Sequence, residues 1–177
     1  MVKVLGSLVA SMTVGAAVLL VFERRPVPAG AFSLASYTSL KSVEQVAAGG
    51  IIPSYGRWES VEVFYSNTAA GNIRQLAALE GLASAEDVNF HFLVCNGRGG
   101  ADGQIQPSDR WQRQRPCIPD GLWDGSGRSI RICVVGDTGN RPATDCQAKR
   151  TAELIEQICR KFSIGPQGVS YPQGWQL

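Results

Sequence analysis

The chain has 177 residues, 44% of them hydrophobic, with four Trp and six Phe. This composition fits one folded domain plus an additional segment and is unlike that of a disordered chain. Outside the first 25 residues, which hold Lys3, Arg24, Arg25 and Glu23, fourteen basic and fourteen acidic residues remain; a neutral folded part creates no field to gather nucleic acid, and that class of partner is set aside.

The first element is Val4 to Phe22, an uncharged run of 19 residues. As a helix it would extend roughly 28 Å, close to the hydrocarbon thickness of a bilayer. Its length, and the Glu23-Arg24-Arg25 cluster that follows, favour an uncleaved membrane anchor over residues 1–25. The small residues "AGA" at 29–31 leave a cleaved signal peptide as the alternative, with secretion as its consequence. Residues 26–57 read as a tether punctuated by Pro26, Pro28, Gly30, Gly49, Gly50 and Pro53, with one helical turn near "SVEQVA". The domain proper is placed at 58–177.

Within it, Val61 to Ser66 alternates as a strand. Asn72 caps a helix expected to run to Ser84, with Ile73, Leu76, Ala77 and Leu79 on one side. "NFHFLVCN" (89–96) and "SIRICVVG" (129–136) are nearly continuous apolar runs, the pattern of strands buried on both faces. A Gly-rich turn and the polar stretch "QIQPSDRWQRQ" lie between them. The longest helix is expected over 144–162: Thr144 and Gln147 have capping-box spacing, and Ala148, Thr151, Ala152, Ile155, Cys159 and Phe162 fall on one side. Strands interleaved with helices predict an α/β fold, a sheet covered by helices.

Few residues could carry chemistry. The five cysteines form no CxxC pair, which argues against a zinc ribbon; an exported domain has room for one or two disulfides with a leftover thiol, and the sequence does not give their pairing. The single histidine, His91, sits in an apolar strand, where a structural role is expected. His91 and Cys95 share a strand face, but four residues at about 3.3 Å separate them by roughly 13 Å, too far for a dyad. Ser66 lacks a nucleophile-elbow sequence, and the glycines at 97, 99, 100 and 103 precede no GK[ST].

The order of "YSNTAAGN", "FHFLVCNGRGGADGQIQPSDRW", "SIRICVVGDTGNRPATDCQ" and "ICRKFSI" resembles the zinc-dependent N-acetylmuramoyl-L-alanine amidase and peptidoglycan recognition protein family over residues 58–171. The resemblance implies a mixed β-sheet flanked by helices around a peptidoglycan-binding groove. In active relatives it implies one zinc, whose water attacks the muramoyl–L-alanine amide. It also implies where that machinery would stand. The first zinc histidine opens a pattern like "HHSAT", here "FYSNT" with Phe64. The tyrosine of a "YHF" motif is here Phe90, and His91 matches a histidine of the family that is not a ligand. The second zinc histidine falls at Tyr171, a third ligand would follow some residues later, and the histidine of a "GAH" segment is missing from "QRPCIPDG".

The expectation is therefore a degenerate amidase-like domain of the cell envelope, membrane-anchored outside the cytoplasm, without zinc and without catalysis. It would bind peptidoglycan, a muropeptide or a protein partner through Ser66, Asn67, Thr68, Arg110 and Trp111, since polar strand-end groups and an Arg–Trp pair suit sugar and carboxylate recognition. Two other expectations stand beside it: a working amidase holding zinc through Cys or Asp side chains, and a structural protein with no glycan affinity.

Overall fold

The computed structural model describes residues 40–48, 58–119 and 127–175. The expected anchor and most of the tether lie outside them; among the described residues no helix is long and apolar enough to cross a membrane.

Five strands form one mixed sheet: β1 (Ser60–Tyr65), β2 (Phe92–Val94), β3 (Ile105–Pro107), β4 (Ser129–Val134) and β5 (Val169–Ser170), in the order β3-β2-β4-β1-β5. Only β3 runs antiparallel, as the hairpin partner of β2; the β2–β4, β4–β1 and β1–β5 pairs are parallel. Helices α1 (Val43–Ala48), α2 (Ile73–Leu79), α3 (Asp109–Gln112) and α4 (Asp145–Phe162) complete the described elements, with a 3₁₀ turn at Pro166–Gly168.

Strand alternation divides the apolar residues between two faces. Val61, Val63 and Tyr65 of β1, with Ile130, Ile132 and Val134 of β4, pack under α4 and α1. Leu93, Cys95, Cys133 and Val135 pack with Leu76 and Ala77 of α2 on the opposite face. Both faces are covered, so β4 is buried along its whole length, as its apolar run predicts.

Four differences from the sequence expectations have physical causes. Helix α2 stops at Leu79 rather than Ser84, because Glu80 caps it and Gly81 adopts φ 67°. In the run 89–96 only Phe92–Val94 forms a ladder; His91 still donates its backbone N–H to Arg131 O at 2.9 Å. The buried stripe of α4 is Gln147, Arg150, Thr151, Leu154, Ile155 and Ile158, whereas Ala152 is exposed. The stripe is rotated because the first turns of α4 lie against strand ends and loops whose carbonyls need donors. Gln147 Nε2 serves Val94 O and Val135 O at 2.9 and 3.0 Å, and Arg150 serves Lys41 O at 2.7 Å. Last, the helical turn expected near "SVEQVA" is present as α1, but it buries Val43, Val46 and Ala47 in the α4-side core where a tether segment was expected. All five cysteines are free thiols.

Candidate binding groove

The carboxyl ends of β1 and β4 lie side by side, and the chain leaves them in opposite directions. From β1 it passes through α2 on one face to β2; from β4 it passes through α4 on the other face to β5. Connections that diverge in this way leave a crevice between the strand ends, the usual ligand position in open α/β sheets.

Ser66 ties the two ends together. Its N–H donates to Val134 O at 2.9 Å, and its Oγ accepts from Gly136 N at 3.4 Å and shares a proton with Thr68 Oγ1 at 2.8 Å. Asn67 then turns the chain at φ 57°, a conformation its short amide tolerates. Gly136 is required opposite: a Cβ there would lie 2.6 Å from Arg141 O. The loop that follows is organised by Asp137. Its Oδ1 accepts the N–H groups of Gly139, Asn140 and Arg141 at 2.7–3.1 Å, and its Oδ2 accepts Arg141 Nε at 2.9 Å. The Arg141 hydrogen bond, followed by those backbone donors, holds the carboxyl down to about 2.

Between these ends lies a groove of about 520 Å³ bounded by Phe64, Tyr65, Ser66, Asn67, Glu80, Thr138 and Pro172. An aromatic row flanks it. Tyr65 packs on Trp175 with centroids 5.8 Å apart, and Trp175 stacks on Tyr171 at 6.0 Å and 24°. Tyr171 is 39% exposed.

Phe64 stands against a buried cation. The Arg131 guanidinium carbon is 4.2 Å from its ring centroid, and Phe90 lies at 6.5 Å. Arg131, 3% exposed, sits directly across from Glu62 in the sheet and holds it through two bonds of 2.9 and 3.2 Å; a third, at 3.1 Å, reaches Asn89 O. A zinc ion does not fit this arrangement. Phe64 has no donor atom, Phe90 is fully buried, and Tyr171 rests on Trp175. A guanidinium beside Phe64 would further oppose a divalent cation. Among the described residues no three His, Cys, Asp or Glu side chains converge as a metal site.

His91 is committed elsewhere. Its Nδ1 accepts Arg131 N–H at 2.9 Å, so the ring proton is on Nε2, where it donates to Arg115 O at 3.0 Å. Trp58 and Trp111 hold the ring edge-on at 4.9 and 6.1 Å. Its thiol neighbour is Cys117 at 3.6 Å, which sequence spacing could not suggest. Burial pushes that thiol up to about 11, so it is no nucleophile near neutral pH.

Of the five residues expected to contact a ligand, Ser66 and Asn67 line the groove and Thr68 is hydrogen-bonded to Ser66. Arg110 and Trp111 are not part of it, which corrects their assignment. Ser108 caps α3 and turns both inward. Trp111 is fully buried in the α4-side core, and Arg110 spends its guanidinium on Val88 O and Pro116 O at 2.9 and 2.5 Å. Glu80, Thr138 and Pro172 come from three separate segments and carry no local signal of a shared site.

A family model described as N-acetylmuramoyl-L-alanine amidase matches residues 55–171. No curated protein sequence matches the chain. Three solved structures are similar to it. PGRP-Hd from Alvinella pompejana is 16% identical with a TM-score of 0.45, over 77% of this chain and 87% of that one. The endolysin N-acetylmuramoyl-L-alanine amidase LysCS from Clostridium intestinale URNW is 13% identical with a TM-score of 0.42, over 68% and 73%. The N-acetylmuramyl-L-alanine amidase AmiD from E. coli is 18% identical with a TM-score of 0.43, over 67% of this chain and 49% of that chain.

Proposed function

We propose that this chain, which belongs to the N-acetylmuramoyl-L-alanine amidase family, is a catalytically inactive member that holds peptidoglycan or its muropeptide fragments in the groove between β1 and β4. The observation that carries the reading is the Phe64 floor. A groove is present at the strand ends, and the ring beside it packs on the Arg131–Glu62 pair and offers no donor to a metal. With His91 committed to Arg131 N and Arg115 O, the described lining residues of the groove keep no imidazole; Glu80 and Tyr65 are the titratable groups among them, and neither has a metal ligand or a second acid–base partner beside it to activate a nucleophile. Its remaining capacity is to bind. The uncharged run Val4 to Phe22 supports tethering to the membrane, with the domain on the cell-wall side.

The test is co-sedimentation of the full-length chain with purified peptidoglycan, beside metal analysis and a hydrolysis assay on the same preparation. Retention in the pellet with no released product is expected. Stoichiometric zinc with chelator-sensitive hydrolysis would make the chain a working amidase. Sedimentation no greater than that of an unrelated control protein would leave a structural or partner-binding role instead.

A further inference from the structure

The charge and ring chemistry of the groove narrow what it can hold, on the premise that it binds peptidoglycan. Among the described residues its one charged lining residue is Glu80, and no described Lys or Arg lines it. The cations nearby in the fold are engaged: Arg131 beside Phe64 is held by Glu62, and Arg141, on the loop carrying Thr138, is held by Asp137. Against these described residues an anionic ligand would meet the Glu80 carboxylate, and no guanidinium or ammonium among them lines the groove to receive its charge. Stem peptides bring carboxylates, as does a lactyl group freed of its peptide; an N-acetylglucosamine does not.

The walls suit that neutral sugar. A pyranose has one C–H-rich face and a rim of hydroxyl and acetamide groups, so its complement is an exposed aromatic ring beside uncharged donors and acceptors. Tyr171 is such a ring. Trp175 covers it on one side at 6.0 Å and in turn packs on Tyr65, which lines the groove, while Pro172, next in sequence to Tyr171, lines it as well. Asn67 and Thr138 on the groove supply a carboxamide and a hydroxyl, the pairing a sugar acetamide and hydroxyl require.

We infer that the groove and the Tyr65–Trp175–Tyr171 row form a subsite for a neutral N-acetylated hexosamine of the glycan strand, and that the site reads the sugar rather than the acidic peptide. The experiment titrates the full-length chain with tetra-N-acetylchitotetraose, which has neither peptide nor carboxylate, and separately with a synthetic stem peptide, following tryptophan fluorescence. Saturable binding of the oligosaccharide and none of the peptide is expected. Tyr171→Ala should weaken it about tenfold, as loss of one stacking ring does, and Tyr171→Phe should keep it within about twofold. Tyr171 is exposed enough that either variant should fold, and an unchanged near-UV spectrum checks this. Binding of the stem peptide without the oligosaccharide, or a Tyr171→Ala variant that binds the oligosaccharide as well as the parent, would overturn the inference. If whole peptidoglycan pellets the chain while chitotetraose does not bind, the subsite is wrong and the peptidoglycan reading stands. If neither binds, both fail.

Discussion

At Phe64 a single side chain decides what the strand end can do. Restoring a histidine there would not restore a metal centre, because the Arg131 guanidinium stays 4.2 Å from that position and Tyr171 supplies no second imidazole. Phe64→His is expected to bind no stoichiometric zinc by metal analysis. It should also lower stability by about 1–2 kcal/mol in urea titration, through lost ring packing and cation–π contact. One zinc per chain would refute this account of the site. Asp137 carries a second residue-scale consequence. Its folded-state carboxyl, held down to about 2 against an ordinary 3.8, first by Arg141, lies below the unfolded value. Its contribution is therefore complete above that ordinary value and lost as pH falls through it toward about 2. Protection of the Gly139, Asn140 and Arg141 amides, measured by hydrogen exchange, should collapse over that window. Asp137→Ala, which removes the acceptor, should lack the protection at neutral pH and show no further acid step.

Among the elements, α4 shows where periodicity succeeds and where it misleads. The capping box of Thr144 and Gln147 is present as its spacing predicts. The apolar stripe is rotated, because Gln147 and Arg150 are buried as donors to carbonyls of other segments, and a hydrophobic pattern has no means of marking a polar residue as internal. Gln147 joins three roles: it caps the helix at Thr144 N and bonds both Val94 O and Val135 O. Gln147→Leu leaves Val135 O without the Gln147 donor and Val94 O with the Val135 N–H alone, and removes the reciprocal half of the cap; it should cost about 2–4 kcal/mol by urea unfolding. Thr144→Ala, which removes the cap and the hydroxyl's bond to Asp102 Oδ1 but leaves the strand-end bonds in place, should cost about 1 kcal/mol. Equal losses from the two would show that the strand-end bonds contribute nothing.

For the molecule as a whole, the folded unit includes α1, a segment whose composition reads as linker. Val43, Val46 and Ala47 join the α4-side core, while Arg150 and Lys161 bond Lys41 O and Ala47 O at 2.7 and 3.3 Å. Val46→Asp places an unpaired carboxylate in that core and should lower stability by about 3 kcal/mol or more. The groove lies at the far ends of β1 and β4, so chitotetraose affinity should be unchanged under folding conditions. A Val46→Asp chain as stable as the parent would mean that α1 is only a tether.

What the sequence determined by itself is what local chemistry encodes: two doubly buried strands from their continuous apolar runs, a long capped helix, and the family from its ordered motifs. The resemblance further implies that Phe64, Phe90 and Tyr171 occupy positions where active relatives carry zinc ligands and a tyrosine. Only the tertiary structure could decide which side chains meet. Glu80, Thr138 and Pro172 are brought to Ser66 and Asn67 by crossovers on opposite faces of the sheet, Arg110 and Trp111 are turned into the interior by a four-residue helix, and Arg131 is set against Phe64 by strand register. Such contacts arise from pairing and packing between segments far apart in the chain, so no local run of residues records them.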